Sequence, residues 1–205
     1  MSDIVLYASK ASRSLAGYWM LEELGIPYQV VDVDLRERKN LEPEFLKINP
    51  SGRVPVVSVD GVVTSERPAI CALLADRFGY GSLAPEIGCK DRGPYLKWLV
   101  YSTAVIDPAI AVRASNLDEP LQQTTWDTAQ DVVDILSQTL VGQSWLLGDR
   151  FTAADVAVGS VISMARFNNL LPESEALNEY CKRLKGRAAF QQAERLTWPP
   201  ELFTP

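Results

Sequence analysis

Two short stretches of this chain carry residue types suited to holding an extended, charged ligand. Asn49-Pro50-Ser51-Gly52-Arg53-Val54-Pro55-Val56-Val57 is a Pro- and Gly-rich turn that runs into a proline at the head of an apolar strand. Proline cannot donate to a strand ladder and is kept out of strand interiors. A cis Val54-Pro55 bond would account for its place, with the Val54 N–H and C=O turned outward. Those groups could pair with an extended peptide in the manner of an added strand. Ser65-Glu66-Arg67-Pro68-Ala69-Ile70 opens a helix with polar and charged residues. Free N–H groups and the positive end of the macrodipole favour an anion such as a carboxylate there. Together the two stretches predict a site for a small peptide with carboxylates at its ends.

Composition narrows the chemistry. The chain has no histidine at all, which removes histidine general-base catalysis and the usual zinc ligands; no metal is expected. Its three cysteines, Cys71, Cys89 and Cys181, form no C-x-x-C pair, so a reactive thiol would have to come from a ligand. A net charge of −6 argues against a nucleic-acid partner, which asks for a basic patch. Apolar runs such as Ala69 to Ala75 fall far short of the ~20 residues that span a bilayer, so no membrane partner is expected. Met1-Ser2-Asp3-Ile4 has no basic, cleavable leader pattern, and a cytoplasmic protein is the expectation.

The elements that must position these residues follow from periodicity. Ile4 to Tyr7 reads as a strand and Ser9 to Ser14 as a polar loop. Leu15 to Leu24 has helical spacing and stops at Gly25, a C-terminal cap. Tyr28 to Val33 reads as a second strand, parallel to the first through a right-handed crossover. Arg36 to Lys47 is irregular, with a helical turn around Phe45-Leu46. Val54 to Val59 and Val62-Val63 form a hairpin across Asp60-Gly61, and Pro68 to Phe78 is an apolar helix. This is the thioredoxin-like order, α/β, over residues 1–79. Gly79 to Lys90 is turn-rich, and 80–90 reads as a linker. Residues 91–205 are helical in pattern, an all-α domain. Asp91 to Ala114 is one long helix with a break near Asp107-Pro108, and Leu121 to Leu140 is a second. Thr152-Ala153-Ala154-Asp155 is a capping box opening a third through Met164. Glu173 to Leu184 and Arg187 to Glu194 close the chain. Asp155 reads as structural through its capping place, and Asp127, Asp131 and Asp134 read as a solvated face.

In order and spacing, the two N-terminal stretches resemble the glutathione-binding half of the cytosolic glutathione transferase family. Trp145-Leu146-Leu147-Gly148-Asp149-Arg150-Phe151-Thr152-Ala153-Ala154-Asp155 resembles the family segment that ends one helix and caps the next. The resemblance is to a bacterial-type member with a serine in the first loop, and with Glu-Arg where Glu/Gln-Ser is commoner. It implies a homodimer that binds glutathione as co-substrate.

It also implies roles. Ser12 falls where the family places a Ser, Tyr or Cys beside the glutathione sulfur. A free thiol with a pKa of about 8.5 is only about 3% thiolate at pH 7, so a hydroxyl donating to the sulfur favours the charged form. Ser14 is the alternative thiol partner, and the third reading is that either serine only caps the helix at Leu15. Arg13 stands where a bacterial class has its cysteine, and could act through its charge. Tyr7 is one residue short of the position used by tyrosine classes, a slip that turns it to the opposite face of the strand. Val54 would bond the cysteinyl backbone of glutathione through its main chain. Arg53 would meet the glycyl carboxylate or stay a solvated surface residue. Glu66 would accept from the γ-glutamyl ammonium. Arg67 would clamp the γ-glutamyl carboxylate bidentately, with Ser65 capping the helix. Asn40, or Lys39 beside it, falls where several classes touch the glycyl end. Tyr95, Trp98, Tyr101 and Ile106 are available to line an electrophile pocket between the domains, with core or dimer packing as the other reading of aromatic residues at helical spacing.

The expected activity is conjugation of glutathione to small apolar electrophiles. The same site would also serve glutathione-dependent reduction of disulfides or peroxides, dehalogenation or isomerisation. A non-catalytic ligand-binding or regulatory protein on the same scaffold is the reading from another class.

Overall fold

The computed structural model describes residues 2–115 and 127–199. They fall into two compact units, one of residues up to Gly79 together with those from Arg187 on, the other Tyr80–Gly186. The final helix was expected with the helical domain; it instead joins the first unit.

The first unit runs β1 (Ile4–Ala8), α1 (Leu15–Leu24), β2 (Gln29–Asp32), α2 (Pro43–Ile48), β3 (Val56–Val59), β4 (Val62–Ser65) and α3 (Arg67–Phe78), with one turn of 3₁₀ helix at Lys39–Leu41. The sheet order is β2-β1-β3-β4. β1 pairs parallel with β2, as a right-handed crossover requires, and antiparallel with β3. β3 pairs antiparallel with β4 across Asp60-Gly61, and both turn residues have positive φ, as a two-residue hairpin turn demands. β1 alternates strictly. Ile4, Leu6 and Ala8 are buried, while Val5 and Tyr7 face the other side. That other side carries a smaller apolar cluster of Val33, Phe45 and Val56, joined by Tyr7, Ile48 and Val54.

Every residue of α1 from Leu15 to Leu21 is buried. Gly17 explains how closely this helix lies on the sheet. A Cβ there would sit 2.8 Å from Leu6 Cδ1 and 3.3 Å from Pro55 Cβ. α1 ends where expected, at Gly25 with φ +61°, whose N–H reaches the Leu21 and Glu22 carbonyls. Helix α9 (Ala188–Thr197) packs along α1. The Trp19 and Phe190 rings meet edge to face at 4.8 Å. Burying a ring the size of Trp19 removes on the order of 200 Å² from water, about 5 kcal/mol before ordering costs.

The second unit holds α4 (Arg92–Tyr101), α5 (Asp107–Ala114), α6 (Ala129–Thr139), α7 (Ala153–Phe167) and α8 (Glu175–Lys185). The break expected near Asp107-Pro108 is a π-helical stretch, Ser102–Ile106, joining α4 to α5. Pro108 has no N–H and its ring crowds the preceding turn, and a wider turn accommodates it without ending the helix. Ser102 returns its hydroxyl to the Leu99 carbonyl at 2.7 Å. The helix expected from Leu121 begins at Ala129 in the described residues, because Thr128 and Asp131 form a capping box; positions 121–126 lie outside them. Asp131, expected as a solvated carboxylate, therefore has a capping role. Tyr101 donates to Asp127 at 3.3 Å.

The capping box at Thr152 and Asp155 is present. Asp155 is fully buried and accepts from Thr152 N (2.9 Å), Leu146 N (3.0 Å) and the Tyr180 hydroxyl (3.0 Å). Burial pushes its carboxyl up to about 6 against those donors. Among the described residues, no helix is long and apolar enough to cross a membrane.

Candidate functional site

Three segments meet at one end of the sheet, and register is what gathers them. Tyr7 pairs with Val56, and Val56 pairs with Ser65. The antiparallel ladders therefore bring the end of β1, the start of β3 and the end of β4 abreast. Each strand continues into a stretch marked by sequence: Ser9–Ser14 after β1, Arg53–Pro55 before β3, and Glu66–Arg67 after β4.

The Val54-Pro55 peptide is cis, as expected. Among the described residues nothing hydrogen-bonds to the Val54 N–H or C=O. An unpaired donor and acceptor on one residue at the head of a strand are what an added peptide strand needs. The turn before it is braced from two sides. Asn49 is buried; its Nδ2 donates to the Arg53 carbonyl at 2.8 Å, and its Oδ1 accepts from Ser51 N at 3.2 Å and Ser51 Oγ at 3.0 Å. Asn40 Nδ2 donates to the Gly52 carbonyl at 2.7 Å. Gly52 has φ +63°, and a Cβ would lie 3.1 Å from the Asn40 carbonyl oxygen, so only glycine fits there without strain. Asn40, assigned to the ligand's glycyl end, thus gives one N–H of its amide to this turn and keeps the other N–H and its Oδ1. The alternative, Lys39, is engaged by Glu42 at 2.8 Å. The bracing by Asn49 was missed, although an asparagine two residues before a turn serine is an Asx-turn signal. Arg53 is exposed.

Ser65 was expected to cap α3. It is a strand residue, and the N-cap is Glu66, at φ +68° with no side-chain capping bond. A left-handed non-glycine residue costs about 1–3 kcal/mol, and the geometry leaves the exposed Glu66 carboxylate off the helix end. Arg67, the first helical residue, is 9% exposed. Its charge opposes the burial that pushes the Cys71 thiol up to about 12, so Cys71 stays an inert protonated core residue.

In the serine loop, neither serine caps α1. Ser14 holds the N-cap place without a side-chain capping bond. Its buried Oγ accepts instead from Ser9 N at 3.1 Å and from Ser12 Oγ at 2.9 Å. Ser12 is half-buried; its hydroxyl lies 2.7 Å from the Ser9 carbonyl and accepts from Ser14 N at 3.1 Å. Ser12 has one proton and two acceptors for it, and Ser14 is wholly inside. Tyr7 packs edge-on against Phe45 at 6.2 Å on the opposite sheet face from Leu6 and Ala8. Arg13 is exposed.

Two family models match this chain: "Glutathione S-transferase, N-terminal domain" over residues 14–77 and "Glutathione S-transferase, C-terminal domain" over 111–183. The chain belongs to the glutathione S-transferase family. Among its relatives is Glutathione S-transferase 3 of Schizosaccharomyces pombe, 30% identical over 171 residues, 74% of this chain and 70% of that one. Glutathione S-transferase GstA of Escherichia coli O157:H7 is 26% identical over 193 residues, covering 92% and 96%. The glutathione transferase URE2P8 of Phanerochaete chrysosporium, solved with oxidized glutathione, shares the fold at a TM-score of 0.81 and 22% identity, covering 100% of this chain and 98% of that one. The glutathione transferase of Methylococcus capsulatus aligns at 0.77 with 27% identity, covering 95% and 98%.

Within this glutathione S-transferase the four residues named for an electrophile pocket all lie in the helical unit. Tyr95 and Trp98 are buried on α4 and Ile106 in the π stretch. The Tyr101 ring stands edge-on to Trp98 at 5.2 Å, and Lys97 Nζ sits 3.2 Å over the Trp98 ring. Burial lowers the Lys97 pKa and raises that of Tyr101. Among the described residues no group of three or more His, Cys, Asp or Glu could hold a metal ion.

Proposed function

We propose that this glutathione-dependent transferase holds glutathione along Val54, with the γ-glutamyl end at Glu66 and Arg67, and that Ser12 donates to its sulfur. The observation that carries the reading is the unpaired Val54 main chain, in register with the serine loop and the head of α3. The thiolate attacks an electrophilic carbon; the C–S bond forms and the leaving group departs with its electron pair. The protein's own part is to supply thiolate and proximity.

The energies favour Ser12 turning to the sulfur. Giving up a neutral hydrogen bond to Ser9 or Ser14 costs about 1 kcal/mol, and a bond to a charged acceptor returns about 1.5–3 kcal/mol. The N-terminus of α1 adds about 0.3–1 kcal/mol in favour of the anion. Arg53, exposed next to Val54, is the first candidate for the glycyl carboxylate; Asn40 and Lys39 already have one partner each, Gly52 and Glu42.

A cytoplasmic homodimer completes the proposal. Leu96 and Val100, 43% and 59% exposed one turn apart on α4, give an apolar stripe suited to a second copy; sedimentation showing only monomer would remove that element.

Calorimetry with reduced glutathione, against Arg67→Ala, tests the binding reading, and turnover of an activated aryl chloride tests the transfer. Saturable binding that weakens in the variant supports it; no binding at millimolar glutathione overturns it.

A further inference from the structure

Helix α9 is tied to the serine loop at one end of α1 and to α1 itself near the other end. Ala11 donates its main-chain N–H to the carbonyl of Thr197, the final residue of α9, at 2.7 Å. That carbonyl belongs to the last turn of a helix, where acceptors lack intrahelical partners. Ala11 itself sits at φ +49°, a conformation that alanine holds only when its surroundings fix it. At the far end of α1, Arg187, the N-cap of α9, bonds Glu23 through Nε at 2.6 Å and Nη2 at 2.7 Å. Glu23 is 7% exposed in its side chain and also accepts from Trp19 Nε1 at 2.9 Å. The helices run antiparallel, so the ion pair fixes how far α9 reaches along α1, and the reach sets where the Thr197 carbonyl meets Ala11.

We infer that α9 is a positioning element for thiol activation: the Thr197 carbonyl, held in register by the Arg187–Glu23 pair, fixes the backbone of Ala11 and so the direction in which Ser12 presents its hydroxyl. This rests on the reading of Ser12 as the sulfur's partner. Glutathione affinity depends on other segments, those at Val54 and Glu66–Arg67. Loosening α9 therefore acts on the thiol pKa and kcat, and leaves binding in place. Arg187 is a positioning residue, since it acts through α9 and Ala11.

The test combines amide exchange with the pH dependence of turnover in the full chain. In the wild type the Ala11 amide is protected; an unprotected Ala11 amide overturns the inference outright, whatever the variants do. Arg187→Ala speeds exchange at Ala11 and shifts the alkaline-rising limb of kcat to higher pH. It costs up to about tenfold in kcat near neutrality, the loss that a one-unit rise in thiol pKa brings, with the calorimetric Kd for glutathione within about twofold. Arg187→Lys, which keeps the charge but loses the fork, gives a smaller shift of the same sign and carries the test should the alanine variant not fold. Faster exchange at Ala11 with an unmoved pH profile overturns the inference. Ser12→Ala in the same assay separates the two levels. If it leaves the pH profile unmoved, the functional reading has failed; if it moves the profile and Arg187 variants do not, only the positioning role has.

Discussion

Val56 and Ser65 are partners across the β3–β4 hairpin, and that single register brings the head of β3, which follows Pro55, abreast of the end of β4, which precedes Glu66. A slip of one residue would turn the alternating side chains of β4 over and carry Glu66 past the strand end that it now flanks. The candidate ligand contacts are separated in sequence and brought abreast by ladder hydrogen bonds, and several outcomes can be anticipated from that arrangement.

Ser12→Ala is expected to lower kcat at neutral pH by about 10- to 100-fold, as the loss of one positioned donor does. KM for glutathione should hold within a few-fold. Ser14→Ala removes the acceptor for Ser9 N and Ser12 Oγ inside the fold, so it should show mainly as about 1–2 kcal/mol of stability in urea melts. A reversed pattern, with Ser14→Ala stable and inactive and Ser12→Ala active, would transfer the thiol to Ser14.

Arg67→Ala is expected to weaken glutathione binding by at least about tenfold, the scale of one charge-assisted bidentate contact. Arg53 is exposed and should matter less, about two- to threefold in Kd at low salt and less at high salt. Titration at two ionic strengths distinguishes them; equal, salt-insensitive losses would contradict the assignment.

Asn40→Ala removes the donor to the Gly52 carbonyl. Its predicted effect is a raised KM for glutathione with kcat nearly unchanged, plus about 1 kcal/mol of destabilisation. Gly52→Ala should do more harm, because φ +63° and the 3.1 Å approach to the Asn40 carbonyl both oppose a Cβ. Steady-state kinetics that show kcat falling with KM constant would argue against a turn-bracing role.

Asp155 makes a prediction about pH. Its native value of about 6 lies above the ordinary carboxylate value of 3.8, so between those limits the native chain binds more protons than the unfolded one. The stability this group contributes is fully present below about pH 4 and lost as pH rises through about 6. Asp155→Asn sets an amide against donors and should cost about 2–4 kcal/mol. The wild-type advantage over the variant should shrink as pH goes from about 4.5 to about 7.5. An advantage that grows with pH in paired denaturation curves would show the carboxyl's native value to be depressed.

Much of this molecule is legible in local chemistry. Proline at the head of an apolar strand, Asp60-Gly61 between two valine runs, Gly25 after a helical period and Thr152 three before Asp155 each leave one cheap backbone solution, and each takes it. The family follows from the order of such signals. What the residues could not announce are the choices made by distant partners. Asn40 looks like a ligand contact alone until Gly52, twelve residues on, presents a carbonyl to one of its N–H groups. Ser65 looks like a cap until β4 claims its backbone and leaves the capping place to Glu66. Helix α9 has the amphipathic pattern of any bundle helix; its docking on α1 is decided by Arg187 meeting the half-buried Glu23 and by Phe190 meeting Trp19, pairs more than 160 residues apart. Backbone geometry is set by neighbours in sequence, where sterics act. The use of a polar side chain is set by whichever unsatisfied group the fold brings within 3 Å or so, because a buried donor or acceptor left without a partner costs about 1–3 kcal/mol, and only the tertiary structure says which group that is.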